Sequence, residues 1–117
     1  MIRKIFIFCS VSLLLFCSAA AAAHLYPEKD YQRKWCAEHN GVTEHVLDDD
    51  ARVDCLTDEY AIEFDFASKW AEAIGQSLYY AEKTGKKPGI VLILEKDGDK
   101  RHLRRLLKVS EKYHIRV

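Results

Sequence analysis

The chain has 117 residues, with 18 Lys and Arg against 18 Asp and Glu, a formal net charge of zero at pH 7. That length allows one small domain around one core. The balanced charge points to no nucleic-acid partner through bulk electrostatics, and no repeat or linker divides the chain.

The N-terminus reads as a targeting segment, residues 1–23. Arg3 and Lys4 form a short positive region, Ile5 to Phe16 an apolar run, and Ser18 to Ala23 a small, alanine-rich stretch. This three-part pattern is that of a secretory signal peptide, with cleavage expected after Ala23. An uncleaved membrane anchor is the competing reading, because the apolar run approaches spanning length. The small residues followed at once by polar sequence favour cleavage. Phe16 before Cys17 argues against a lipoprotein, whose modified cysteine follows a small residue. The expected mature chain, residues 24–117, is a single domain of an exported, periplasmic or secreted protein with no stable membrane association. Removing Arg3 and Lys4 from the 18 basic residues leaves 16 against 18 acidic ones, a charge of −2.

Two cysteines, Cys36 and Cys55, remain in the mature part. In an oxidising compartment they are expected to form a disulfide. Their spacing matches no zinc motif, and the alternative is a buried pair of free thiols.

The elements follow in order. Pro27 to His39 reads as a helix: Pro27 suits the first turn, Glu28 and Asp30 suit its dipole, and Asn40-Gly41 supplies a stop. Thr43 to Leu47 reads as a short strand, Asp48-Asp49-Asp50 as a turn, and Arg52 to Thr57 as a second strand. Tyr60 to Phe66 alternates strictly, with Tyr60, Ile62, Phe64 and Phe66 on one face and Ala61, Glu63 and Asp65 on the other. A helix is expected from Ser68, as N-cap, to Thr84, with Gly85 as its stop. Pro88-Gly89 leads into "IVLIL", a continuous apolar run of the kind a fully buried strand shows. "DKRHLRRLLKVSEKYH" is amphipathic, with Leu103, Leu106, Leu107 and Ser110 expected inward, and Ile115 to Val117 is expected as a terminal strand. The sum is an α/β fold: a mixed sheet flanked by helices, its central strands buried on both faces.

The polar residues on these elements carry the chemistry. Asp54 on the second strand is expected to face opposite to Val53 and Cys55. If that strand pairs with the next, Asp54, Glu63 and Asp65 converge on one patch. Crowded carboxylates are unfavourable unless a cation joins them, and hard oxygen ligands suit magnesium or manganese (Mg2+ or Mn2+). On the following helix Lys69, Gln76 and Tyr80 are spaced +7 and +4, within about 40° of one another at 100° per residue. Each has a plainer reading. Asp54 can pair with Arg52, Glu63 and Asp65 can face water, Lys69 can contact Glu72, and Gln76 and Tyr80 can be ordinary packing residues. The five histidines, His24, His39, His45, His102 and His114, show no ligand spacing and read as surface residues.

Asp54, then Glu63-x-Asp65, then Lys69, resembles a variant of the PD-(D/E)XK nuclease superfamily. Gln76-x-x-x-Tyr80 in "GQSLYYA" is similar to the Gln-x-x-x-Tyr motif of its RecB-like branch. The resemblance covers roughly Pro27 to Leu94 and implies a restriction-endonuclease-like αβββαβ core. It also implies metal-dependent hydrolysis of DNA or RNA phosphodiesters, with Asp54 and Glu63 as metal ligands. Asp65 stands where the family usually has its lysine. The resemblance then makes Lys69 the replacement amine, or makes Asp65 an extra ligand. Glu44, or alternatively Glu38, matches the additional upstream acid. A non-catalytic binding module of the same fold is the other expectation.

A basic surface with Lys100, Arg101, Arg104 and Arg105, and with Lys83, Lys86 and Lys87 nearby, can grip phosphates without reading bases. Interleaved Asp97, Asp99 and Glu111 favour an ordinary solvated face instead. So small a core has little room for a DNA-binding extension, which points to a homodimer.

Overall fold

The computed structural model describes residues 23–117, so the predicted signal segment lies outside the described residues apart from Ala23. Three helices and four strands follow one another: α1 (Glu28–Glu38), β1 (Val42–Val46), β2 (Arg52–Leu56), β3 (Tyr60–Phe66), α2 (Trp70–Thr84), β4 (Lys87–Ile93) and α3 (Lys100–Tyr113). The strands form one mixed sheet in the order β1-β2-β3-β4. β1 and β2 are antiparallel, β2 and β3 are antiparallel, and β3 and β4 run parallel, joined by α2 as the crossover.

The helices lie on both faces. α1 covers one, where Cys36, Cys55, Ile62 and Phe64 pack with Trp35, Tyr60 and Val91. α2 and α3 cover the other, where Ala73, Ile90, Leu106 and Ile115 form one cluster and Leu47, Val53, Ala61 and Tyr80 a second. The central strand β3 is therefore closed on both faces, and Glu63 and Asp65 are buried, at 5% and 6% exposure.

The Cys36–Cys55 disulfide forms, with a Cα–Cα distance of 5.8 Å, and ties α1 to β2. It also explains Gly41. A Cβ there would stand 2.6 Å from the Cys36 sulfur and closer still to that of Cys55. The chain leaving α1 thus passes over the disulfide where only hydrogen fits.

Several expectations are corrected at element ends. Ser68 is not a cap: Ala67–Lys69 forms a 3-10 turn, and α2 begins at Trp70 without a side-chain cap. Hydrogen bonds to β3 carry β4 back through Gly89 and Pro88 to Lys87. The terminal strand is a single parallel bridge between Gly89 and Arg116. Leu106 and Ser110 face the core from α3, but Leu107 is 45% exposed, because the apolar stripe is narrower than four residues. Gly85 ends α2 in the left-handed conformation, as its sequence position suggests. Among the described residues no helix is long and apolar enough to cross a membrane.

Candidate functional site: a carboxylate cluster in a strand fork

β2 and β3 pair only at Cys55↔Ile62 and Leu56↔Ala61. Beyond that point β2 stays with β1 and β3 stays with β4, so the sheet forks. A fork leaves backbone groups without strand partners, and buried ones must be satisfied. Two side chains do so. Asp54 Oδ2 accepts the Phe64 amide at 2.8 Å, and Gln32 Nε2 donates to the Asp54 carbonyl at 2.7 Å. Gln32 is 3% exposed and also donates to Glu44 Oε1 at 3.3 Å.

The fork breaks the alternation of β2. Val53 packs with Ala61 and Tyr80, whereas Cys55 packs with Cys36 and Ile62 on the other face. The expectation that Val53 and Cys55 share a face is therefore wrong, and Asp54 sits at the switch between them. Across from it, Glu44 has a φ of 54°. This left-handed kink falls between the pairs Thr43↔Cys55 and His45↔Val53, where strand pairing is interrupted. Strain of this kind in a non-glycine residue costs about 1 kcal/mol or more and concentrates at functional sites.

Five carboxylates meet around the fork: Glu28, Glu44, Asp54, Glu63 and Asp65. Burial, then the neighbouring Asp54, lifts the Glu63 carboxyl far above the usual carboxylate range. Asp54 is raised chiefly by burial, while the Phe64 amide and the neighbouring Glu63 pull it back down. Glu63 Oε2 is buried with no donor. Burial and then Glu28 push Asp65 up to about 7. Glu28 is raised by burial, then by Asp54, while Lys69 pulls it down. Tyr80 packs beside the cluster and is pushed up to about 12, first by burial and then by Glu63, Asp54 and Asp65.

The structure thus brings together Asp54, Glu63, Asp65, Glu44 and Tyr80. Lys69 is exposed at the start of α2 and makes no ion pair within 4 Å among the described residues. Its charge still reaches the cluster, lowering Asp65 and Glu28. Gln76 is exposed, one side off the buried Ala73, Ser77 and Tyr80. Glu38 lies apart from the cluster, lining a cavity with Tyr31, Trp35 and Phe64. Glu28 and Gln32, which sequence reasoning missed, occupy the place that Glu38 was weighed for. Their signal was present: they stand one and two turns before Cys36, whose disulfide fixes the inward face of α1.

The expected basic surface divides. Lys83 pairs with Asp48 at 2.5 Å and Lys87 with Glu59 at 2.8 Å, while Lys86 donates to the Asp58 carbonyl at 2.7 Å. Lys100 is exposed near Asp97 at 3.5 Å, Arg104 is exposed, and Arg101 lines a cavity beside the site.

Among the described residues no three His, Cys, Asp or Glu side chains stand arranged to grip a metal ion. The groups that gather at the fork are carboxylates. They are hard oxygens, they are crowded, and one buried carboxylate oxygen lacks any partner. No family model, no characterised protein and no solved structure matches the chain.

Proposed function

We propose that this protein is an exported, metal-dependent nuclease that hydrolyses DNA or RNA phosphodiesters, on a PD-(D/E)XK-like, restriction-endonuclease-like core of the RecB-like type. The observation that carries the reading is the contact of Asp54 with Glu63 at the fork, next to Asp65 and Glu28. Asp54 and Glu63, which the sequence orders as in that superfamily, are near one another on neighbouring strands, with Asp65 beside them. The order α1-β1-β2-β3-α2-β4 supports the same reading.

Asp54, Glu63 and Asp65 would hold a magnesium or manganese ion, with Glu44 or Glu28 flanking it. Such an ion supplies charge stabilisation at the phosphodiester and lowers the pKa of its bound water. The remaining work belongs to the chain. Glu63, raised by burial and by Asp54, must first give up its proton. Lys69, at the mouth of the cluster, offers positive charge to the scissile phosphate. Gln32 and the Phe64 amide hold Asp54 in place. Tyr80 walls off water from the α2 side.

The test is incubation of the purified protein with single- and double-stranded DNA and RNA, with manganese or magnesium and with chelator. Cleavage that stops with chelator and in Glu63→Ala is the expected result. A second reading, a binding module without turnover, is favoured by Asp65 in the position of the usual lysine and by the distance of Lys69 from any carboxylate. Metal binding with no cleavage of any substrate would select it.

A further inference from the structure

A cavity of about 520 Å³ opens beside the carboxylate cluster. It lies at the ends of β3 and β4, where Phe66 and Ile93 close the parallel pair, and Phe66 directly follows Asp65. Crevices outside the carboxyl ends of parallel strands are the usual ligand sites of α/β sheets. His24, Phe66, Ser68, Lys96, Arg101 and His102 line it.

Its uncommitted charge is positive. The two acids in its wall are spoken for. Glu95 accepts His24 Nδ1 at 2.6 Å, the Leu25 amide at 2.8 Å and the Tyr31 hydroxyl at 2.8 Å. Asp99 Oδ2 accepts the amides of Glu95 and Lys96 at 2.9 and 3.3 Å. Lys96 has no carboxylate partner among the described residues, and neither does the Arg101 guanidinium, whose Nε donates to His102 Nε2 at 3.3 Å. His102 Nδ1 is buried without a partner. That nitrogen is closed off from the cavity, and His102 contributes by orienting Arg101.

The cavity also has an aromatic wall. The His24 ring stacks on Phe66 at 3.4 Å and 7°, and the bond to Glu95 fixes its orientation. The His24 side chain is 49% exposed, so its stack leaves ring surface open. His24 and His102, read from sequence as surface residues, are therefore both part of a built cavity.

We infer that this cavity binds the nucleotide next to the scissile phosphodiester, with its phosphate on Lys96 and Arg101 and its base against the His24–Phe66 stack. Phosphate needs donors in a fork or cluster, and a base needs a flat apolar face; the cavity supplies both. The inference rests on the nuclease reading for the identity of its ligand, but its test does not require cleavage.

The experiment is a calorimetric titration of the chelated protein with a 5′-phosphorylated DNA dinucleotide, beside one with inorganic phosphate. The dinucleotide is expected to bind the tighter of the two. Lys96→Ala with Arg101→Ala should weaken it by about tenfold or more, the loss of one or two charge-assisted hydrogen bonds. His24→Ala should weaken the dinucleotide by about fivefold or more and leave inorganic phosphate unchanged, because only stacking is lost. Equal binding of phosphate and dinucleotide, or parental binding by the double variant, overturns the inference. Absence of cleavage by a protein that shows these losses would end the nuclease reading and leave the nucleotide site standing.

Discussion

Asp54 Oδ2 lies 2.8 Å from the Phe64 amide, so a carboxylate of one strand replaces the backbone acceptor that its neighbour has lost. The same side chain is, after burial, the main cause that lifts the Glu63 carboxyl. Structural and chemical demands therefore meet on one residue, and two substitutions separate them. Asp54→Ala leaves the buried amide unpaired and should cost about 1–3 kcal/mol of unfolding free energy. Asp54→Asn keeps an oxygen acceptor and should stay near the parent in stability while losing its response to metal. Urea unfolding of the three proteins in chelator checks the first half, and equal stability of Asp54→Ala and parent would remove the role of Asp54 at the fork.

Stability should fall as pH rises. Asp65 titrates at about 7 in the fold against an ordinary 3.8, so the folded chain holds a proton that the unfolded chain has already released. A group raised in this way stabilises fully below its unfolded pKa, and the contribution is lost as pH climbs through the folded value. For Asp65 that window runs from about pH 4 to about pH 7, and Glu63 extends the loss to higher pH. One extra proton corresponds to a slope of about 1.4 kcal/mol per pH unit. Denaturant unfolding of the chelated protein at pH 5, 6, 7 and 8 should show the decline, and Glu63→Gln should flatten its upper part. A parent whose stability rises over that range would contradict the buried-carboxyl account.

Metal and protons should compete for the cluster. Manganese or magnesium should raise the melting temperature by linkage, and the gain should grow from pH 6 to pH 8 as the protons on the raised carboxyls become easier to remove. Asp54→Asn and Glu63→Gln should each shrink it. Scanning calorimetry across metal concentration and pH measures all of this, and a gain independent of both variants would place the ion elsewhere.

Glu63→Ala should remove most nuclease activity, since it deletes a ligand. Lys69→Ala should slow cleavage by at least about tenfold if its charge serves the transition state. Gln76→Ala should change the rate by less than about threefold, because Gln76 points to solvent. Single-turnover rates on a common substrate rank the three. Full activity in Lys69→Ala would show that no lysine replaces the one absent at Asp65, and the proposed chemistry would fail while the fold stood.

Much of the framework was legible because the patterns were local. Tyr60 to Phe66 alternates so strictly that its bounds and the shared face of Glu63 and Asp65 follow from period two alone. Gly85 and the Asp48 turn were equally plain. What escaped depended on contacts distant in sequence. Nothing near Asp54 announces that β2 leaves β3 after two pairs, because a fork is a property of three strands together. The Glu44 kink is unmarked for the same reason, since glutamate has no preference for positive φ. The histidines were judged by mutual spacing, whereas His24 earns its place through Glu95, 71 positions away.

The short β2–β3 seam has a mechanical consequence. Two residue pairs join the β1–β2 hairpin to the rest of the sheet; its other attachments include the disulfide to α1, the Phe64 amide to Asp54, Gln32 to Glu44 and the Asp54 carbonyl, Lys83 to Asp48, Tyr79 to Asp49, and the packing of Leu47 and Val53 on Ala61 and Tyr80. The hairpin is thus a leaf on a short seam, with Asp54 and Glu44 on the leaf and Glu63 and Asp65 on the frame. Its amides should exchange with solvent together, as one cooperative unit, ahead of those shared by β3 and β4. Each opening of the leaf would part the acids, so the lifetime of the assembled cluster would follow the stability of this hairpin rather than that of the β3–β4 pair.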